Sequence, residues 1–126
     1  MSLLKFNTKA SNIILETKIK SDYLETANLI LDTGASLVVL PWKLVYKIGI
    51  KIDPLKTIKT TTATTVETVP VVTIPEMSVL GKTVKHVKAI VKNLPPEVPA
   101  DGLLGLSFLK HFKLTIDFKK GILELT

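Results

Sequence analysis

The pattern that most constrains this chain is one-for-one alternation of apolar and polar residues in short blocks rich in Thr, Val and Ile. From position 13 onward, Ile13, Leu15, Thr17 and Ile19 fall on one face and Ile14, Glu16, Lys18 and Lys20 on the other. A period of two places alternate side chains on opposite faces of a strand, and β-branched residues fit that pleated surface. Ser21-Asp22 is a turn signal, and Glu25 to Leu31 resumes as an apolar strand, so the first unit is a β-hairpin. A short buried strand follows at Leu37–Leu40. Pro41 then suits the first turn of a helix whose apolar positions are Leu44, Val45 and Ile48 and which Gly49 stops. Residues 57–68 hold seven threonines in twelve positions and read as an exposed hairpin. Strands are expected at Val69–Ile74, Met77–Leu80 and Thr83–Lys92, with Pro70 and Pro75 limiting their pairing and Gly81-Lys82 a turn. Asn93–Pro99 is a proline-rich loop. Ser107 is placed to cap a short helix over Phe108–Phe112, and the tail alternates through Leu114, Ile116 and Phe118 before a turn and a last strand at Ile122–Leu125. The expected class is mostly β with one or two short helices.

Composition narrows the chemistry. At 126 residues the expectation is a single domain spanning 1–126, long enough to bury a core without covalent staples. There is no Cys, which excludes disulfides, zinc–thiolate sites and Cys nucleophiles. Two His make a multi-His metal site improbable, so neither metal nor cofactor is expected. The net charge of +6 is carried entirely by Lys, with no Arg, and it is spread along the strands. With aromatics at 6%, neither a base-reading nor a stacking surface is indicated, and nucleic acid is not the expected partner. No apolar run approaches the ~20 residues of a membrane span, and the N-terminus lacks a signal-like apolar stretch. A cytoplasmic setting without a membrane partner is the expectation.

The segment that carries chemistry is Leu29-Ile30-Leu31-Asp32-Thr33-Gly34-Ala35-Ser36. A carboxylate directly after three apolar strand residues is partly desolvated, which disfavours its charged form. Gly34 leaves an uncluttered approach to it, and Thr33 can hydrogen-bond locally and hold the turn. One such carboxyl cannot activate water by a paired route. Two of them about 3 Å apart can, because both cannot ionise together and one remains an acid while the other acts as base. The chain has one Asp-Thr-Gly, so the natural source of the second carboxyl is a second copy across a two-fold axis. An architectural echo supports half of such a design. The hairpin, strand, loop and helix of residues 11–49 are matched by strands, Gly-Leu-Leu-Gly and helix in residues 70–112.

Asp32-Thr33-Gly34-Ala35-Ser36, followed some 70 residues later by Gly102-Leu103-Leu104-Gly105 and then Ser107-Phe108-Leu109, resembles the retropepsin-like aspartic proteases. The small single-domain members from bacteria and archaea are the nearest in appearance, over roughly residues 11–125. The resemblance implies an acid-protease-like β-barrel, closed or partly open, corresponding to one half of a bilobal aspartic protease. It implies a homodimeric endopeptidase in which Asp32 shares a water with Asp32 of a second copy and needs no cofactor. Thr33 would grip the partner beneath the dyad, Gly34 would present main chain to substrate, and Ala35 and Ser36 would support the loop. The Thr-rich hairpin, with its tip at Ala63, Thr64 and Thr65, would be the flap over an extended peptide or unfolded protein. Gly102, Leu103, Leu104 and Gly105 would be the structural counterpart in the second half.

Other polar residues have plainer readings. Asp101 is expected to order its loop rather than serve as an intrachain partner, and Asp117 to hold a turn. His86 and His111 read as surface or packing residues, and Trp42 as an anchor for the first helix. Many retropepsin-like chains place a glycine at the flap tip, whereas none lies between Gly49 and Gly81 here. That departure supports the competing reading, a catalytically weak or inactive domain that binds peptides or assembles without turnover.

Overall fold

The computed structural model describes residues 2–61 and 64–126. The first hairpin is β2 (Ile14–Lys20) and β3 (Leu24–Leu31), after a short N-terminal β1 (Leu3–Lys5). Its inward face is the one the alternation selects: Leu15, Thr17 and Ile19 are all buried. The next elements are β4 (Val38–Leu40), α1 (Trp42–Lys47), β5 (Thr57–Thr61), β6 (Val66–Val79) and β7 (Lys82–Val91). The chain closes with β8 (Gly102–Leu104), α2 (Leu106–Leu109), β9 (Leu114–Asp117) and β10 (Ile122–Leu125).

Six strands in the order β2-β3-β8-β4-β7-β6 form a barrel, closed by antiparallel pairing of β2 with the far end of β6, Thr17 opposite Val79. Closure leaves those strands no free edge within the ring. The internal echo is visible as strand direction: β3 runs parallel to β8, β4 runs parallel to β7, and β8 meets β4 antiparallel at Val39–Leu103. Each half thus inserts its short post-loop strand beside the long strand of the other half. The core runs through this barrel, with Leu29, Leu40, Ile74, Met77, Leu104 and Phe108 among its fully buried side chains.

Two sequence expectations are corrected. Pro70 and Pro75 do not divide residues 69–80 into separate strands, because β6 runs unbroken for 14 residues. Pro75 falls instead at a matched change of phase. Ile74 and Met77 are both buried, three apart, and so are Val84 and Val87 on β7. His86, between the pairs Ile74–Val87 and Glu76–Lys85, takes φ of 58°. A proline lacks the N–H that a regular ladder needs, so the irregularity costs little there. Ser107 likewise does not cap α2. Gly105 holds the N-cap position, the helix begins at Leu106, and Ser107 is buried inside it. Pro41 precedes α1 as its N-cap residue. That helix ends as the sequence suggests, on Gly49 at φ 85°, with Ile50 N–H donating to Val45 O and Gly49 N–H to Tyr46 O. Those two bonds make a Schellman motif, satisfying carbonyls the helix leaves open.

β1, β10 and β9 form a separate antiparallel sheet in which the two chain ends pair with each other, Leu3 opposite Glu124. No helix among the described residues is long and apolar enough to cross a membrane.

Candidate active site

Asp32 lies one residue beyond β3, where the chain leaves the barrel. Its backbone is held by the opposite half: Asp32 N–H donates to Leu104 O at 3.1 Å. Its side chain organises its own loop, Oδ1 accepting from Gly34 N–H at 2.9 Å, while Ala35 N–H donates to Asp32 O at 3.2 Å. The carboxylate is thus half-buried and fixed, and Thr33 and Gly34 are exposed at the tip. Ala35 is half-buried and Ser36 exposed, and Ala35 O accepts from Leu106 N–H at 2.8 Å.

The Gly-Leu-Leu-Gly run sits under this loop, and its glycines are there for space. A Cβ on Gly102 would lie 1.9 Å from Val39 O, and one on Gly105 would lie 2.5 Å from Leu37 O and 2.7 Å from Ala35 O. Any side chain would push β8 away from the segment that carries residues 35–39. Leu103 and Leu104 pair with Ile30 and Leu31, the two residues before Asp32. Ser107, which sequence reasoning placed as a cap, completes the clamp: Oγ donates to Lys88 O at 2.7 Å and accepts from Val38 N–H at 2.9 Å. Its hydroxyl joins α2, β4 and β7 directly behind the loop.

Asp101 is occupied elsewhere. Its Oδ2 accepts from Asn28 N–H and its N–H donates to Asn28 O, both at 2.8 Å. Asn28 is four residues before Asp32 along β3, roughly 13 Å at the strand rise. Asp117 holds its turn through Lys120 N–H at 2.9 Å. His86 is exposed, and His111 Nδ1 lies 3.1 Å from Phe108 O on the helix it follows. Trp42 packs against the core and stacks with Tyr46, ring centres 6.0 Å apart. No cluster of three or more metal-ligating side chains occurs among the described residues.

A cleft of about 430 Å³ opens beside the loop, lined by Gly34, Ala35, Ser36 and Leu37 on one side and Ile58–Thr61 of β5 on the other. Its floor is a small apolar cluster outside the barrel core, built on Val39, Val69 and Ile90 with Leu37, Leu94 and Leu103 packed against it. The β5–β6 hairpin therefore faces the Asp32 loop across the cleft, through β5. Of its expected tip residues, Ala63 lies outside the described residues, and Thr64 and Thr65 are exposed and do not line the cleft. The lining comes from the arm instead, at Ile58, Lys59, Thr60 and Thr61, which sequence reasoning did not single out. Thr60 Oγ1 is buried there without a hydrogen-bond partner among the described residues.

A family model for aspartyl proteases matches residues 16–108, from the first hairpin through the second helix. The chain belongs to the aspartyl protease family. Among solved structures, a retropepsin-like aspartic protease from Rickettsia conorii is similar with a TM-score of 0.70 and 24% identity, covering 96% of this chain and 94% of that one. The chain thus has the fold of a single retropepsin-like lobe. No curated protein matches the sequence significantly.

Proposed function

We propose that residues 1–126 form one lobe of a homodimeric aspartic endopeptidase, with Asp32 of each copy meeting across a two-fold axis. The observation that carries this reading is the single Asp32, its carboxyl held by Gly34 N–H and its backbone N–H donating to Leu104 O, beside a peptide-sized cleft. Asp101, the acid nearest by motif, is committed to Asn28. In the dimer one Asp32 takes a proton from water as that water attacks the peptide carbonyl, and the other donates a proton to the carbonyl oxygen. Collapse of the tetrahedral intermediate returns a proton to the leaving amine. Alternate side chains of an extended peptide fit the apolar floor, and the Thr60 hydroxyl, without a partner among the described residues, suits a hydrogen bond to its main chain. Support for the second copy's position comes from a groove of about 290 Å³ that includes Leu31 and Thr33 and extends to Phe118. Phe118 is 68% exposed and stacks edge-on with Phe6. A buried aromatic contact there would place two loop tips face to face.

The decisive experiment is Asp32→Asn assayed on an unfolded protein substrate at acidic to mildly acidic pH. We expect loss of cleavage by at least about a thousandfold with unchanged folding and unchanged dimer mass, since the dyad cannot form a base. Pepstatin-sensitive wild-type activity should also fall faster than linearly on dilution. Undiminished cleavage by Asp32→Asn overturns the assignment.

A further inference from the structure

Lys92 stands where the floor of the cleft meets the base of the hairpin. Its N–H donates to Leu40 O at 2.9 Å, one residue beyond the end of β7, so its backbone is fixed. Its Nζ lies 2.6 Å from Glu67 Oε2, the two side chains being 30% and 49% exposed. Lys92 lines the cleft, as does Lys59, and among the described residues the lining includes no Asp or Glu, Glu67 reaching Lys92 from the hairpin. The rest of the lining is mainly apolar and small polar. Lys59 and the Lys92–Glu67 pair thus form a charged rim over an apolar floor.

Glu67 is carried by the hairpin, opposite Thr60 in register. Its carboxylate shows that the position in front of Lys92 Nζ accepts a carboxylate at close range. An ion pair between two such half-exposed side chains holds weakly and exchanges easily. A peptide passing under the hairpin shields the cleft from water, which strengthens the attraction between Lys92 and whichever carboxylate faces it. An acidic side chain reaching Lys92 takes that place and releases Glu67 to solvent, and a neutral one leaves the resident pair intact.

We propose that Lys92 is a specificity-determining residue that selects an acidic side chain in the bound peptide, taking it in exchange for Glu67. This rests on the cleft being the substrate groove of the proposed peptidase. Glu67 acts as the resident stand-in, which keeps Lys92 paired until a peptide arrives. Selection comes from position along the extended peptide, because alternate side chains point to the floor and only one register brings an acid to the rim.

The test uses Asp32→Asn protein, so that binding is read without turnover. Labelled peptides carry a central Leu-Phe and a single Glu moved one position at a time, each with a Gln counterpart, and fluorescence anisotropy gives the affinities. At one position Glu should bind about fivefold tighter than Gln. Adding Lys92→Met should remove that ratio, Lys92→Arg should preserve it, and Glu67→Gln should increase it by removing the internal competitor. Thermal melts of each variant verify folding, which the half-exposed Lys92 makes robust to change. Equal Glu and Gln binding at every position overturns the proposal, as does a ratio unaffected by Lys92→Met or reduced by Glu67→Gln. Glu-selective binding with no wild-type turnover on the same peptides supports Lys92 selection while refuting the peptidase. Wild-type cleavage indifferent to Glu refutes Lys92 selection alone.

Discussion

Removing one buried hydroxyl should loosen the whole candidate site. In Ser107→Ala, Val38 N–H loses the Oγ acceptor at 2.9 Å and Lys88 O loses the donor at 2.7 Å. Val38 is fully buried and Ser107 is 7% exposed, so water does not readily replace the hydroxyl at the Val38 end. A buried N–H left without a partner costs about 1–3 kcal/mol, while the part-buried Lys88 carbonyl can regain some hydration and adds about 1 kcal/mol or less. The side chain itself shrinks by only one oxygen, so the cavity contribution is small. The expected loss is about 2–3 kcal/mol, a substantial share of the roughly 5–15 kcal/mol by which domains are stable. For a chain of this size that lowers the melting midpoint by roughly 10 °C. Urea unfolding with wild type and Ser107→Ala in parallel measures it, and Thr17→Val supplies the contrast. Thr17 is equally buried, but its hydroxyl reaches only Leu15 O at 3.3 Å, and removing it strands no backbone N–H. Thr17→Val should therefore fall within about 1 kcal/mol of wild type. A Ser107→Ala protein as stable as Thr17→Val would refute the argument that this hydroxyl clamps β4 to β7.

Two further perturbations address a turn and a surface. Gly49→Ala forces a side chain at φ 85° and puts its Cβ 2.8 Å from Asp22 Oδ2, so a loss of about 1–2 kcal/mol is expected by urea unfolding. Unchanged stability would contradict the Schellman description. Phe118→Asp removes an exposed aromatic and should cost the monomer about 1 kcal/mol or less through its stack on Phe6. If the groove beside Thr33 receives a second copy, the same change should weaken the dimer on the order of tenfold or more by sedimentation equilibrium. An unaltered dimer would move the interface elsewhere.

The barrel strands were legible because one face of each had to be buried. Leu15, Thr17 and Ile19 announce that face by period, and a strand has only two faces to choose from. The continuous β6 was not legible, since prolines at 70 and 75 argue locally for breaks. What overrides them is tertiary: Pro70 stands opposite Thr57, just past the last β6–β7 pair at Val71–Ile90, and Pro75 faces the irregular His86. At the site, Asp32 and the two glycines of residues 102–105 could be picked out by motif. Ser107 was misplaced as a cap because serine before an apolar run has that local use, whereas its partners Val38 and Lys88 are 69 and 19 residues away. The cleft lining escaped for a related reason. Attention to a hairpin's tip follows from the turn, but the distance between β5 and the Asp32 loop is decided by how β6 leaves the barrel.

That dependence on distant residues explains why the Asp-Thr-Gly loop requires the second half of the chain even though the second half carries no such motif. Asp32 follows β3, but its N–H is bonded to Leu104, Ala35 O to Leu106, and the start of β4 to Ser107. Without the short strand that inserts between β3 and β4, the loop would leave the barrel with its polar backbone unpaired in a half-buried position, a costly arrangement. The glycines at 102 and 105 permit that insertion by admitting the carbonyls of Val39, Ala35 and Leu37 at distances no Cβ allows. The second half thus repeats the strand and helix geometry around the loop without carrying an Asp-Thr-Gly of its own. On the proposed reading, a lobe built this way holds one acid rigidly and takes the other from a second copy, so that rigidity within the chain and dimerisation between chains would be complementary.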